Sequence, residues 1–107
     1  CYIDNTVQMN ILAATSDSDE ATDQIYNVAL NDRTSLNRLY QMIEEKLIQR
    51  NSGLKKKKPI HRDFRAGDVR HSQANIKKAQ KLLNYKPNYM ISEGLDEAMD
   101  WYVKNLC

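Results

Sequence analysis

One stretch limits the choice of fold more than any other: Gln24-Ile25-Tyr26-Asn27-Val28-Ala29-Leu30. Ile25, Tyr26 and Val28 favour an extended backbone. The run is apolar almost throughout, broken only by Asn27, which is the pattern of a strand covered on both faces. The remaining strand candidates are short: the extended start at 1–3 and a segment at 58–62 whose ladder Pro59 would limit. Two or three strands of this kind do not make an independent sheet. The expectation is therefore an α/β chain in which the run at 24–30 sits at the edge of a larger sheet supplied from outside these 107 residues.

Helical signals fill most of the rest. Asp4 is a candidate N-cap for a helix over about 5–15, with Val7, Ile11 and Ala14 on one stripe and Leu12 beside it. Thr34 or Ser35 caps a second helix. Its inward stripe reads Leu36, Leu39, Tyr40, Ile43 and Leu47, with Glu44, Glu45, Gln49 and Arg50 outward, and Asn51-Ser52-Gly53 ends it. A third is expected over 73–84, capped by Ser72, with Ile76, Ala79, Leu82 and Leu83 inward. It stops before Pro87, because a residue preceding proline disfavours the helical region. A fourth runs over about 93–105 behind Ser92, with Leu95, Ala98, Met99, Tyr102 and Leu106 inward. Trp101 and Tyr102 read as core and rim.

Charge is unevenly placed. Residues 50–81 carry 11 of the 16 Lys and Arg against 2 of the 14 Asp and Glu, a local +9, while the whole chain is only +2. A basic middle between acidic flanks suits an anionic partner or internal pairing. The run Lys55–Lys58 reads as a solvated loop, since it has no interleaved aromatics of the kind a single-strand nucleic-acid binder uses. No apolar run approaches the roughly 20 residues of a membrane span. The first residues, Cys1-Tyr2-Ile3-Asp4, lack the basic start and apolar run of a secretory leader. Cys1 and Cys107 are read as free thiols of a reducing compartment, with a bridge between the termini as the alternative.

Few residues are spaced for chemistry. Gly53, Gly67 and Gly94 are isolated, whereas a dinucleotide site needs a glycine-rich turn opening a helix. No Tyr is followed by a Lys four positions on, and His61 and His71 have no partners at metal-ligand spacing. The stretch that stands out is Asp63-Phe64-Arg65-Ala66-Gly67-Asp68-Val69-Arg70-His71-Ser72. It sets two planar cationic forks, Arg65 and Arg70, about a glycine turn ahead of a helix start, an arrangement suited to phosphate oxygens. The plain alternative is that both arginines pair with Asp63 and Asp68 on a surface loop.

These motifs taken in order resemble a known family. Tyr2-Ile3-Asp4-Asn5 with Gln8-Met9-Asn10-Ile11-Leu12-Ala13-Ala14 is similar to a segment of the extended short-chain dehydrogenase/reductases. Tyr26-Asn27-Val28-Ala29 and Asp32-Arg33-Thr34-Ser35-Leu36-Asn37 resemble their last sheet strand and following helix. Phe64 to Ser72, with Ile76-Lys77-Lys78-Ala79 and Leu82-Leu83-Asn84-Tyr85, resembles their nucleotide-sugar motif; Asn75 departs from it, the family usually having Asp there. The likeness is to the UDP-N-acetylglucosamine 4-epimerase group of Vi polysaccharide and O-antigen biosynthesis.

The resemblance implies that residues 1–107 are the C-terminal, substrate-binding third of an NAD-dependent isomerase. NAD and the catalytic residues would lie elsewhere, and the chain alone would be inactive. It implies that Arg65 contacts the UDP diphosphate and Asp68 the ribose. Ser72 would line the sugar site, its small side chain leaving room for an N-acetyl group; a helix N-cap is the competing role for Ser72. Arg70 has no implied role, and a salt bridge to Asp68 is the expectation for it. The implied parent is a cytoplasmic homodimer acting on a UDP-sugar, without nucleic acid or membrane. A dehydratase or decarboxylase would share these motifs. A small basic nucleic-acid module built on Lys55–Lys58 and Arg62–Arg70 is the alternative from another class.

Overall fold

The computed structural model describes residues 1–106. The side chain of Leu106 and all of Cys107 fall outside it, and with them the inward place expected for Leu106 and the choice between a free Cys107 thiol and a bridge to Cys1. Four helices follow in order: α1 (Ile3–Ala14), α2 (Leu36–Arg50), α3 (Lys77–Leu83) and α4 (Ile91–Leu106).

Among the described residues there is no strand, so the expected α/β class is wrong and the chain is all-helical. Residues 24–30, 58–62 and 1–2 form no ladder, and Ile3 already belongs to α1. A strand is a cooperative object: its N–H and C=O groups need a neighbouring strand. Within this chain the segment at 24–30 finds side chains instead. Lys78 Nζ donates to Gln24 Oε1 (2.7 Å) and to the Ile25 carbonyl (3.2 Å), Asn27 Nδ2 donates to the Asn75 carbonyl (3.2 Å), and the Tyr85 hydroxyl donates to the Ala29 carbonyl (3.1 Å). Ile25, read as a buried strand residue, is 89% exposed.

The described chain divides into two compact units. The first comprises Cys1–Asp32 and Gln73–Gly94. Its core is Met9, Ala21, Ile76, Ala79, Leu83 and Tyr85, with Leu12, Tyr26, Val28, Ala29 and Leu82 packed against it. The inward set expected for the third helix is thus the observed one, although α3 begins at Lys77 rather than Gln73. Asn75 Oδ1 accepts the Lys77 N–H (2.9 Å), and Ser72 caps nothing. At the other end of α3, Asn84 takes a left-handed conformation (φ 53°), and the Tyr85 N–H reaches back to the Ala79 carbonyl. Tyr85 is fully buried, and that burial raises its phenol pKa.

α1 turns a different face inward from the one expected. Asn5 and Met9 are buried, while Ile3, Val7 and Ile11 are exposed. Its Asp4 lies in the first turn and Tyr2 is at the cap position, without a side-chain cap. Asn5 is fully buried and makes three hydrogen bonds: its Nδ2 donates to the Tyr89 carbonyl (2.8 Å), and its Oδ1 accepts the N–H groups of Asn88 (2.8 Å) and Tyr89 (3.2 Å). An amide side chain with donor and acceptor both used ties α1 to the segment before α4. Tyr2 stacks edge-on against Tyr89, ring centroids 4.9 Å apart, and presses on the first turn of α4 at Gly94. A Cβ at Gly94 would lie 2.6 Å from the Tyr2 Cβ, so glycine is required for this approach. That turn opens at Ile91, not behind Ser92; the Glu93 carboxylate accepts the Met90 N–H (2.6 Å), half of a capping box.

The second unit comprises Arg33–Ser72 and Leu95 onward. Ser35 Oγ accepts the Arg38 N–H (3.2 Å), one of the two caps expected for α2. The buried residues of α2 are Met42 and Lys46, whereas Leu36, at the head of the expected stripe, is 82% exposed. Lys46 buries its stem and carries its ammonium to Asp96 Oδ2 (2.5 Å). Arg50 reaches Asp96 Oδ1 (3.5 Å) and also pairs with Asp100. Met99 is buried, while Trp101 and Tyr102, expected as core and rim, are both exposed.

The Lys46 ammonium, then Arg50, holds the Asp96 carboxyl below its ordinary pKa despite partial desolvation. A depressed carboxylate pKa contributes stability that is present above the unfolded pKa and lost as pH falls through the folded one. Helicity followed by circular dichroism should therefore be flat through neutral pH and fall below about pH 4. Asp96→Asn should lower stability at neutral pH and flatten that acid limb; an unchanged limb would remove Asp96 as its cause.

Candidate functional site

The decapeptide 63–72 lies wholly in the second unit and is exposed throughout. Its backbone is nevertheless shaped. The Asp68 N–H donates to the Arg65 carbonyl (3.1 Å), closing a four-residue turn, and Gly67 sits at its third position with φ +88°. Positive φ at that position is what a type II turn demands and what side chains resist. Asp68 closes the turn a second time: its Oδ2 accepts the Arg65 N–H (3.1 Å), and its Oδ1 lies 3.5 Å from the Arg65 guanidinium.

Of the residues singled out from the sequence, Arg65 and Asp68 are brought together and Ser72 is not hydrogen-bonded to either. The Arg65 side chain is 87% exposed, with one long contact to Asp68, so most of its fork faces solvent. An exposed pair of this kind contributes little to stability. Arg70 does not pair with Asp68 as expected. Asp68 is occupied by its own turn, and the Arg70 guanidinium lies over the Phe64 ring, 4.7 Å from the centroid. Nor does Ser72 open a helix. Four residues separate it from α3, and it stands exposed at the end of the loop. His71 Nδ1 is 3.4 Å from the Arg33 guanidinium.

The same unit holds a second feature, apart from the decapeptide. The strap at 56–61 folds along the first half of α2 and is clipped at two points. At one, Glu44 Oε1 accepts the Lys57 N–H (2.9 Å), while the single proton of the Tyr40 hydroxyl is shared between Glu44 Oε1 (3.0 Å) and the Lys57 carbonyl. At the other, His61 Nε2 meets Asn37 Oδ1 (3.0 Å), which requires that nitrogen to carry the proton. Desolvation and the neighbouring Glu44 raise the Tyr40 pKa, so the phenol keeps its donor proton. Between strap and helix lies an open cleft of about 560 Å³. The available sequence signal is the Tyr40/Glu44 spacing of four on a helix, which by hydropathy alone reads as one inward and one solvated residue.

Among the described residues, no group of three or more His, Cys, Asp or Glu is gathered for a metal, and no helix is long and apolar enough to cross a membrane. Gly53, Gly67 and Gly94 lie far apart in sequence and do not make one glycine-rich turn opening a helix.

No family model matches this chain. An uncharacterized protein of Methanocaldococcus jannaschii is 33% identical over 104 residues, covering 97% of this chain and 29% of that protein. A UDP-glucuronate 4-epimerase of Thermodesulfobacterium geofontis is 36% identical over 72 residues, 67% of this chain and 20% of the enzyme. UDP-glucuronate 4-epimerase 6 of Arabidopsis thaliana is 32% identical over 80 residues, 75% of this chain and 16% of the enzyme. The chain thus spans less than a third of the length of these relatives and has a distant, partial relationship to nucleotide-sugar epimerases. None of these names carries the N-acetylglucosamine specificity that the resemblance implied.

Proposed function

We propose that this chain is the nucleotide-gripping portion of an NAD-dependent UDP-sugar 4-epimerase, with Arg65 meeting the diphosphate. The observation that carries the reading is the turn at 65–68: its backbone is held by Asp68 and Gly67, and it leaves the Arg65 fork facing solvent. A fork fixed at its base and free at its tip is suited to bidentate oxyanion contact. Distant similarity to two UDP-glucuronate 4-epimerases supports the substrate class. Asp68 spends both carboxylate oxygens on its turn, so its part in this reading is to position Arg65, with ribose contact requiring that pair to open.

NAD, in this proposal, would be held by polypeptide outside these residues and would supply the hydride chemistry at C4. The parent is read as a cytoplasmic homodimer. Exposed Ser72 supports an N-acetylhexosamine as the sugar, since a hydroxymethyl side chain leaves space that a ring would fill. In the polypeptide that unites this chain with its cofactor-binding portion, Ser72→Tyr should lose UDP-N-acetylhexosamine turnover by roughly tenfold or more while keeping UDP-glucose. Equal retention of both substrates would refute the size argument, and turnover of UDP-glucuronate alone would reassign the sugar. Titration of UDP into the chain, read by amide shifts at 65–72, tests the nucleotide grip directly; no shift there removes it.

A further inference from the structure

The cleft beside α2 has a lining that the Arg65 turn does not use. Lys56, Lys57 and Lys58 edge it together with Asn37, Gln41 and His61. The strap carrying the lysines is pinned on either side of Lys58, at the Lys57 peptide by Glu44 and Tyr40 and at His61 by Asn37. The ammonium groups are therefore presented from a shaped backbone and not from a free tail.

Among the described residues, no carboxylate pairs with any of Lys55–Lys58, although Lys46, Arg50 and Arg65 each find one. The one carboxylate lining the cleft, Glu44, has its Oε1 engaged by the Lys57 N–H and the Tyr40 hydroxyl. Three cations against one engaged anion leave a positive concavity within a stretch that is already +9. Concave surfaces of one sign concentrate counter-ions. The aromatic ring present, Tyr40, has its hydroxyl in the clip, so there is no row of stacking faces for successive bases.

The geometry points to a binding site in this cleft for a small multivalent oxyanion, an oligophosphate of the pyrophosphate or tripolyphosphate class. Lys56 and Lys58 supply the charge, and the amides of Asn37 and Gln41 supply neutral donors. Such an anion relieves the mutual repulsion of adjacent lysines, which Glu44, the carboxylate lining the cleft, offsets only in part.

The test is a titration of the 107-residue chain with sodium tripolyphosphate at fixed ionic strength, read by amide shifts and calorimetry. Shifts are expected at 56–61 and on α2 around Asn37 and Gln41, weakening as sodium chloride is raised. The double charge reversal Lys56→Glu with Lys58→Glu, both exposed and outside the clips, should raise Kd by roughly tenfold or more with an unchanged helical spectrum. A second arm with a nucleoside triphosphate identifies the source. Equal affinity marks the phosphate chain as the whole ligand, tighter binding of the nucleotide marks a nucleotide tail, and both uphold the site. Shifts confined to residues 65–72, an affinity indifferent to the double reversal, or binding no tighter than that of sulfate would overturn it. Tighter binding of an oligothymidylate, growing with its length, would assign the cleft to nucleic acid and overturn it equally. Arg65→Ala should leave the shifts at 56–61 in place, so this result and the reading of the Arg65 turn fail separately.

Discussion

Asn5→Ala is expected to lower stability by about 2–4 kcal/mol, the largest folding effect of any single substitution proposed for this chain. Asn5 is fully buried and spends its one side chain on three backbone groups of the segment before α4. Truncation leaves the Asn88 and Tyr89 N–H groups and the Tyr89 carbonyl without partners, and it adds a small void. Against a total of roughly 5–15 kcal/mol for a domain of this size, that is a large fraction. Urea denaturation followed by circular dichroism measures it, and a midpoint within error of the parent would show that the tether is not needed. Asn5→Asp is the sharper probe. It keeps the acceptor, loses the donor and places a charge against the Tyr89 carbonyl. Burial should raise the pKa of the introduced carboxyl, so its protonated form, which can donate, is the one that fits. The aspartate substitution should therefore cost least at acid pH and most at neutral pH, the reverse of the trend set by Asp96.

Arg65→Ala is the second large effect, and it falls on binding. Charge-assisted contacts from a guanidinium contribute roughly 1.5–3 kcal/mol, so UDP-sugar affinity should drop by about 10- to 150-fold. Folding should be untouched, because the Arg65 side chain is 87% exposed and its one ion pair is a surface pair. Arg65→Lys should recover little, since an ammonium lacks the planar fork. In the parent polypeptide the loss should appear in KM more than in kcat, as expected for a group that holds a part of the substrate remote from the reacting carbon. An Arg65→Ala protein with unchanged UDP affinity would leave the exposed fork without the role assigned to it.

The two faces of α1 show why a pattern can be read while its consequence is not. Val7 and Ile11 recur at helical spacing, and that spacing specified a helix over about 5–15, which the structure places at Ile3–Ala14. It did not specify which side is covered. Met9 and Asn5 face the core of the first unit, while Ile3, Val7 and Ile11 face outward. On α2 the same thing happened through a lysine. Lys46 counts as polar in any hydropathy reading, yet Asp96 makes its burial favourable, and that partner lies 50 residues away. In the site, the glycine turn was legible because positive φ is a local demand. The pairing of Asp68 with Arg65 and not Arg70 depended on which donor the closed turn placed against the carboxylate.

Sequence alone indicated four helices to within a few residues, a cap at Thr34 or Ser35, the turn at Gly67 and the inward residues of α3, because backbone dihedrals and 3.6-residue periodicity are properties of a few neighbouring positions. Tertiary structure alone decided which helix faces were covered, that 24–30 became a side-chain-bonded strap and not a strand, and that Tyr40 and Glu44 clip a basic segment into a cleft. Each of those outcomes needs a partner distant in sequence, and hydrogen bonding and burial are settled only when that partner arrives.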